Sequence, residues 1–185
     1  KLEFGKGYSL KEVSAPYGYV LSHEAVKFDV SEENSTEEGG VTVVAVKLGN
    51  YAQKGIIKIS KTGEVFASVT AADGVYQPVY TVQGLAGATY EIKATEDIYT
   101  PDGTLRCSAG EVVDTVTTGA DGTAESKPLY LGKYEITEMK APDGMVINKD
   151  AHTAELVYAG QEMAITETAA SFCNDRQKAR ISLSK

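Results

Sequence analysis

Hydrophobic and polar positions alternate along much of this chain. In residues 55–61, Ile57 and Ile59 fall on one face of an extended segment and Lys58 and Ser60 on the other. Segments 88–96, 110–117, 131–138, 153–158 and 162–173 are rich in Thr, Val, Tyr and Ile, which suit a pleated, half-buried surface. Asp-Gly pairs at 73–74, 102–103, 121–122 and 143–144 punctuate them as tight turns. No stretch combines helical spacing with caps, although 161–170 fits either period. The pattern predicts an all-β protein, a sandwich of short strands.

The pattern also repeats. Residues 50–61 read NYAQKGIIKISK and residues 174–185 read NDRQKARISLSK, 124 positions later. FGKGYSLKEVSAPYG at 4–18 matches LGKYEITEMKAPDG at 131–144, which places Glu138 126 positions after Glu12. Two offsets this close mark a tandem array. The expected frame is the late part of one repeat at 1–53, a complete repeat at 54–174, and the first strand of a third at 175–185. Leu2 and Phe4 align with Leu129 and Leu131, so the opening residues read as native strand. The joints at Gln53-Lys54 and Gln177-Lys178 are short, which favours a stiff rod over tethered beads.

Strand alternation sets three polar residues at the ends of apolar faces. Ile57 and Ile59 lead to Lys61, Tyr134 and Ile136 to Glu138, and Ala170 and Phe172 to Asn174. The rivals Lys58 and Asp175 fall on the outward faces. Unpaired charges in a core cost many kcal/mol. From alternation alone the simpler reading is an ordinary salt bridge, or solvated strand ends. The sharper one is chemistry. Burial favours uncharged forms. An uncharged amine is a nucleophile, and a neighbouring carboxylic acid polarises an amide carbonyl and shuttles protons. A Lys amine attacking an Asn side chain then expels ammonia and leaves a covalent amide, once per molecule.

Composition narrows the function classes. The chain has 185 residues, 42% hydrophobic, with 18 glycines and 11 tyrosines, which suits a β-rich globular protein. A formal charge of −8 excludes an electrostatic match to nucleic acid. No apolar run is long enough for a transmembrane helix, and neither a signal peptide nor a sorting tail is evident, so the chain reads as an internal fragment. Cys107 and Cys173 allow one bridge or two free thiols, and the free thiols are the expectation. His23 and His152, expected on the surface or in loops, have no catalytic motif beside them. No phosphate loop or zinc spacing occurs, and no cofactor or metal is expected. The acidic pairs Glu32-Glu33 and Glu37-Glu38 read as solvated turns rather than a calcium site.

Several motifs together resemble a known family. Tyr134, Glu138, Ala141, Pro142 and Gly144 are similar to the E-box of Cna B-type domains, also called SpaA-like or prealbumin-like pilin domains. The same pattern recurs as Tyr8, Glu12, Ala15, Pro16 and Gly18. Leu85-Ala86-Gly87-Ala88-Thr89-Tyr90 resembles the family's Leu-Ala-Gly-Ala segment, and Phe172-Cys173-Asn174 its closing strand. Met145 departs from the aromatic expected after Gly144.

The resemblance implies tandem Cna B-type sandwiches (transthyretin/prealbumin-like, inverse immunoglobulin-like). It implies Lys61 as isopeptide nucleophile, Glu138 as proton-handling acid and Asn174 as acceptor. Glu12 and Asn50 become the acid and acceptor of the first repeat, and Lys185 the nucleophile of the next. The implied role is a stalk of an extracellular, cell-wall-anchored protein, without enzymatic turnover. Its partners are neighbouring repeats of the same chain, with no nucleic acid and no membrane insertion. One alternative is an adhesin module for a host protein or glycan, for which 64–84, with Tyr76, Pro78 and Tyr80, is the best segment. Its simpler reading is strands of a long insertion. Another is the shaft subunit of a sortase-assembled pilus, although the usual Tyr-Pro-Lys-Asn linking motif is missing.

Overall fold

The alternation predicted from sequence is realised as paired strands in a computed structural model that describes residues 2–184. They form two compact units, Lys1–Gln53 with Tyr158–Ala164, and Lys54–Val157 with Ile165–Lys185.

In the first unit, β1 (Gly5–Leu10) pairs antiparallel with β2 (Val26–Val30). Tyr8 stands opposite Phe28, and their rings stack at 5.7 Å. A single 3-10 turn at Glu32–Asn34 leads to the hairpin of β3 (Thr36–Glu38) and β4 (Val41–Val43). Both acidic pairs are therefore exposed, on that turn and on β3. The amide of Gln53 is buried, donating to Gly160 O at 2.8 Å and to Met163 O, and accepting from Ala159 N at 2.8 Å.

The second unit is a two-sheet sandwich. One sheet runs β10 (Val112–Thr117), β7 (Thr89–Ala94), β13 (Gly132–Lys140) and β14 (His152–Leu156), all antiparallel. The other is built on the long β5 (Lys54–Ala72). It pairs with β11 (Thr123–Glu125) and β12 (Leu129–Tyr130) on one side and in parallel with β15 (Ile165–Asn174) on the other. Ile57, Ile59 and Phe172 of this sheet pack with Tyr90, Ile92, Tyr134, Ile136 and Leu156 of the first, all nearly or fully buried. Burying such a side chain contributes roughly 1.5–3 kcal/mol. The small ribbon of β8 (Ile98–Tyr99) and β9 (Leu105–Cys107) caps one end, with Ile98 in the core.

Beyond Gly63, β5 leaves the sandwich and pairs only with β6 (Val75–Gly84). The two strands form an exposed arm whose tip, Asp73-Gly74, has both φ angles positive (51° and 76°), as a two-residue hairpin turn requires. The segment 64–84 is thus a strand insertion. Tyr80 in it lies under Arg176, whose guanidinium is 3.4 Å from the ring centroid and is also held by Glu64.

The region 161–170 is strand from Ile165, not helix. His152 lies on β14 with its ring 4.3 Å from that of Phe172, not in a loop, while His23 is exposed beside Glu162. Both cysteines are free.

Candidate functional site

Lys61, Glu138 and Asn174 sit on three different strands, β5, β13 and β15. Each follows two inward-facing apolar residues, and each is buried, at 0%, 2% and 3% exposure. The rejected rivals are outside. Lys58 pairs at the surface with Glu167, and Asp175 is exposed.

The lysine backbone is held from two sides. Lys61 N donates to Gly122 O at 2.7 Å, and Lys61 O accepts from Leu85 N at 2.9 Å. The close approach depends on glycine. Gly122 has φ of +81°, and a Cβ there would come within 2.4 Å of Lys61 O. A Cβ on Gly84 would come within 1.9 Å of Asp121 O. The lysine side chain then reaches inward between two rings, with Nζ 5.8 Å from the centroid of Tyr90 and 5.9 Å from that of Phe172.

The Glu138 carboxyl lies between the two nitrogens. Its Oε1 is 3.0 Å from Lys61 Nζ, and its Oε2 accepts from Asn174 Nδ2 at 2.8 Å. Oε2 also accepts from Asn148 N at 2.7 Å, which fixes the carboxyl plane. Asn174 Nδ2 further donates to Val146 O, so the Asn amide is oriented from both directions.

Among the described residues, two buried side-chain polar atoms have no hydrogen-bond partner, and two more have only each other, 3.0 Å apart. The first two are Tyr90 OH and Asn174 Oδ1, the second two Lys61 Nζ and Glu138 Oε1, and all belong to this cluster. Buried polar groups are almost always satisfied, and each exception demands an explanation. Tyr90 is a member that strand periodicity alone did not single out. It faces inward with Ile92 on β7, and burial, followed by the nearby Glu138 charge, holds its phenol well above the usual range. The signal was present in the Ala88-Tyr90-Ile92 alternation, but nothing in it distinguishes a site tyrosine from a core tyrosine.

The first unit repeats part of this geometry. Asn50 Nδ2 donates to Glu12 Oε2 at 2.6 Å and to Val20 O at 3.0 Å, and Ser22 N donates to Glu12 Oε2 at 2.9 Å. Val20 and Ser22 follow Glu12 by the same eight and ten positions that separate Val146 and Asn148 from Glu138. No cation pairs with Glu12 among the described residues. Lys185 lies outside the described residues.

The sequence profile of the SpaA prealbumin-like fold domain matches residues 1–45 and 79–169. The trypsin-resistant surface T6 protein of Streptococcus pyogenes serotype M6 is 32% identical over 74 residues, 39% of this chain and 14% of that protein. Among solved structures, the Bacillus anthracis TIE protein is similar over 91% of this chain and 24% of its own, at 27% identity and a TM-score of 0.48. The minor pilin GBS52 of Streptococcus agalactiae is similar over 87% and 61%, at 16% identity and 0.43. The full-length major pilin SpaD from Corynebacterium diphtheriae is similar over 67% and 30%, at 23% identity and 0.43. This chain therefore spans only part of each of these proteins. Among the described residues no helix is long and apolar enough to cross a membrane.

Proposed function

Because the chain belongs to the SpaA family of prealbumin-like fold domains, we propose that it is a structural stalk module of a Gram-positive surface protein, cross-linked internally by a Lys61–Asn174 amide. The observation that carries this reading is one buried carboxyl group, Glu138, set between a buried lysine amine at 3.0 Å and a buried asparagine amide at 2.8 Å. As an ion pair, Lys61 and Glu138 would be costly to bury, and an amide removes the cost.

The chemistry follows from the placement of Glu138. A proton passes from the Lys61 ammonium to Oε1, leaving an amine and a carboxylic acid, which a dry site favours. The amine lone pair attacks Cγ of Asn174, and the carbonyl electrons move onto Oδ1. Glu138 takes the proton that the attacking nitrogen sheds and delivers one to Nδ2 through Oε2, with which Nδ2 is already hydrogen-bonded. The Cγ–Nδ2 bond breaks, ammonia leaves, and a secondary amide remains. The reaction runs once, so the module is a product of catalysis and not a turnover enzyme.

The proposed repeat frame is 1–53, 54–174 and 175–185. Glu12 and Asn50 are the acid and acceptor of the first repeat, and Lys185 is the nucleophile of the following one. A cross-link between the first and last strands resists pulling and proteolysis, which fits an extracellular, wall-anchored stalk. The T6 relative is described as a trypsin-resistant surface protein.

The test is the intact mass of the purified chain beside Lys61→Ala and Glu138→Ala variants. The wild-type mass is expected one ammonia below the sequence mass, with both variants at full mass. A wild-type chain at full mass would remove the covalent mechanism.

A second reading attaches to the arm. Phe66 and Tyr76 are 59% and 75% exposed there, and a host protein or glycan is the ligand class such aromatics suit. Loss of adhesion to host matrix on Tyr76→Ser, with the mass defect intact, would support it.

A further inference from the structure

One donor and one acceptor in the buried cluster have no task. Tyr90 OH and Asn174 Oδ1 are both buried, and neither has a hydrogen-bond partner among the described residues. Resting on the cross-link chemistry proposed above, we propose that Tyr90 is a further catalytic residue of that reaction. Its hydroxyl donates to Asn174 Oδ1 as this oxygen takes on negative charge, and afterwards to the carbonyl of the finished amide.

The first support is a count of hydrogen-bonding groups. Asn174 Nδ2 is committed twice, to Glu138 Oε2 and to Val146 O. Asn148 N is committed to Glu138 Oε2. Lys61 Nζ faces Glu138 Oε1 and becomes the attacking atom. The Tyr90 hydroxyl is then the one side-chain donor of the cluster left over. Attack at Cγ pushes an electron pair onto Oδ1, and an unpaired charge in a buried site is costly. A spare donor beside the atom that becomes charged is the arrangement of an oxyanion hole. The hydroxyl makes no bond before the reaction, so the contact is gained only as charge develops. Interactions of that kind, absent in the ground state, are the ones that accelerate a chemical step.

The second support is placement. Tyr90 stands directly opposite Glu138 in the ladder between β7 and β13. Side chains of such a pair leave the sheet side by side, with Cβ atoms about 4.5–5.5 Å apart. The Glu138 carboxyl is bonded to the Asn174 amide at 2.8 Å, and Oδ1 is the other arm of that amide. From the opposite sheet, the Phe172 ring packs on the Tyr90 ring with centroids 4.6 Å apart. Phe172 is the inward residue two before Asn174 on β15. The phenol therefore lies between the acid and the strand that carries the acceptor. Lys61 Nζ is 5.8 Å from the centroid of the same ring.

The third support is rigidity. Tyr90 is on an interior strand, paired with Val116 on one side and Glu138 on the other. The start of β7 is pinned by the buried Thr118. Ala88 N donates to Thr118 Oγ1 at 3.1 Å, and Thr118 Oγ1 donates to Leu85 O at 2.7 Å. A donor fixed in advance needs no reorganisation when the charge appears. Burial also holds the phenol well above its ordinary range, so at neutral pH it remains a donor and keeps its proton.

In the step itself, Lys61 Nζ attacks Cγ and the carbonyl pair moves onto Oδ1, which accepts from Tyr90 OH. The pair returns to the carbonyl as the Cγ–Nδ2 bond breaks. Ammonia leaves with the proton that Glu138 delivers, and the Tyr90 proton never transfers.

The experiment makes the full chain by cell-free synthesis and follows its intact mass after synthesis is stopped. Tyr90→Phe keeps the ring and its contact with Phe172 but has no donor. It should lose ammonia about 100- to 1,000-fold more slowly than wild type, as when a single oxyanion donor is removed, and reach the same final mass. Packing is checked where no bond can form, by comparing the melting of Lys61→Ala with that of Lys61→Ala/Tyr90→Phe, which should agree. If the double variant does not fold, fluorinated tyrosines at position 90 decide. 3-Fluorotyrosine and 3,5-difluorotyrosine keep the hydroxyl and strengthen it as a donor, so closure should quicken in that order. Closure of Tyr90→Phe at the wild-type rate overturns this inference and leaves the Lys61–Asn174 bond standing. Fluorinated chains whose rates do not follow donor strength overturn it too. A wild-type chain that stays at full sequence mass removes the reaction itself.

Discussion

Phe172 pairs with Lys61 in the parallel ladder between β15 and β5, and Asn174 is the next inward-facing residue beyond it. Two residues of strand span about 6.6 Å. An extended lysine side chain covers such a distance, so the register of one ladder delivers the amine toward the amide. A slip of one residue would turn Asn174 outward and separate them.

Replacing Lys61 or Asn174 by Ala should lower stability sharply. The proposed bond would close a loop running from residue 61 to residue 174. The chain-entropy model, worked out for disulfides, gives roughly 4–5 kcal/mol for a loop of about 100 residues. Denaturant midpoints and the half-life in trypsin should both fall in the variants. Equal midpoints would argue that no loop had been closed.

Glu138→Gln separates proton transfer from packing. The amide keeps an oxygen for Asn148 N and nearly the same volume, but it has no carboxyl proton to carry. The variant should fold with a wild-type circular dichroism spectrum and retain its full sequence mass over days. Loss of ammonia at the wild-type rate would show that Glu138 is not the proton carrier.

Alkaline pH should unfold the second unit through its buried phenols. Tyr90 and Tyr134 are both held above the ordinary phenol value of 10.0, chiefly by burial. A raised folded-state pKa means that their stabilising contribution is intact below about pH 10 and is lost as pH climbs above it. Tyr134 OH donates to Tyr130 O at 2.6 Å, whereas Tyr90 OH has no hydrogen-bond partner among the described residues. Tyr90→Phe should therefore change stability at pH 7 by no more than about 1 kcal/mol and move the alkaline midpoint upward. An unchanged midpoint on a pH titration followed by circular dichroism would count against this assignment.

Gly122→Ala should cost about 1–3 kcal/mol from the left-handed backbone alone, and more from the contact with Lys61 O. Because that contact sets the lysine strand, the variant should also lose ammonia more slowly. A melting temperature and a mass time course check the two effects together.

Much of this architecture was legible in the sequence, for a physical reason. Where one strand face is buried and the other wet, the period of two is written into the residues, so the inward positions of Lys61, Glu138 and Asn174 follow from their neighbours. The Asp-Gly turns were legible because few other pairs accept their backbone angles. The extent of β5 was not. Past Gly63 both faces of the arm meet water, so selection leaves no hydrophobic period to read. The inclusion of 158–164 in the first unit depends on the Gln53 amide, a tertiary contact with no local signature. The orienting groups Val146 O and Asn148 N were equally invisible, because every residue has a backbone carbonyl and nearly every residue an amide.

The proposed cross-link would also bear on how a cell held by such a stalk experiences a tug. The residues between Lys61 and Asn174 hold about 370 Å of extended chain. In an ordinary domain that length is released when force unfolds it, and the release absorbs work and softens the jerk. With the amide in place this reserve stays locked. A stalk of units cross-linked in this way would not lengthen by unravelling, so it would offer no damping, and sudden loads would reach whatever grips at its two ends undiminished.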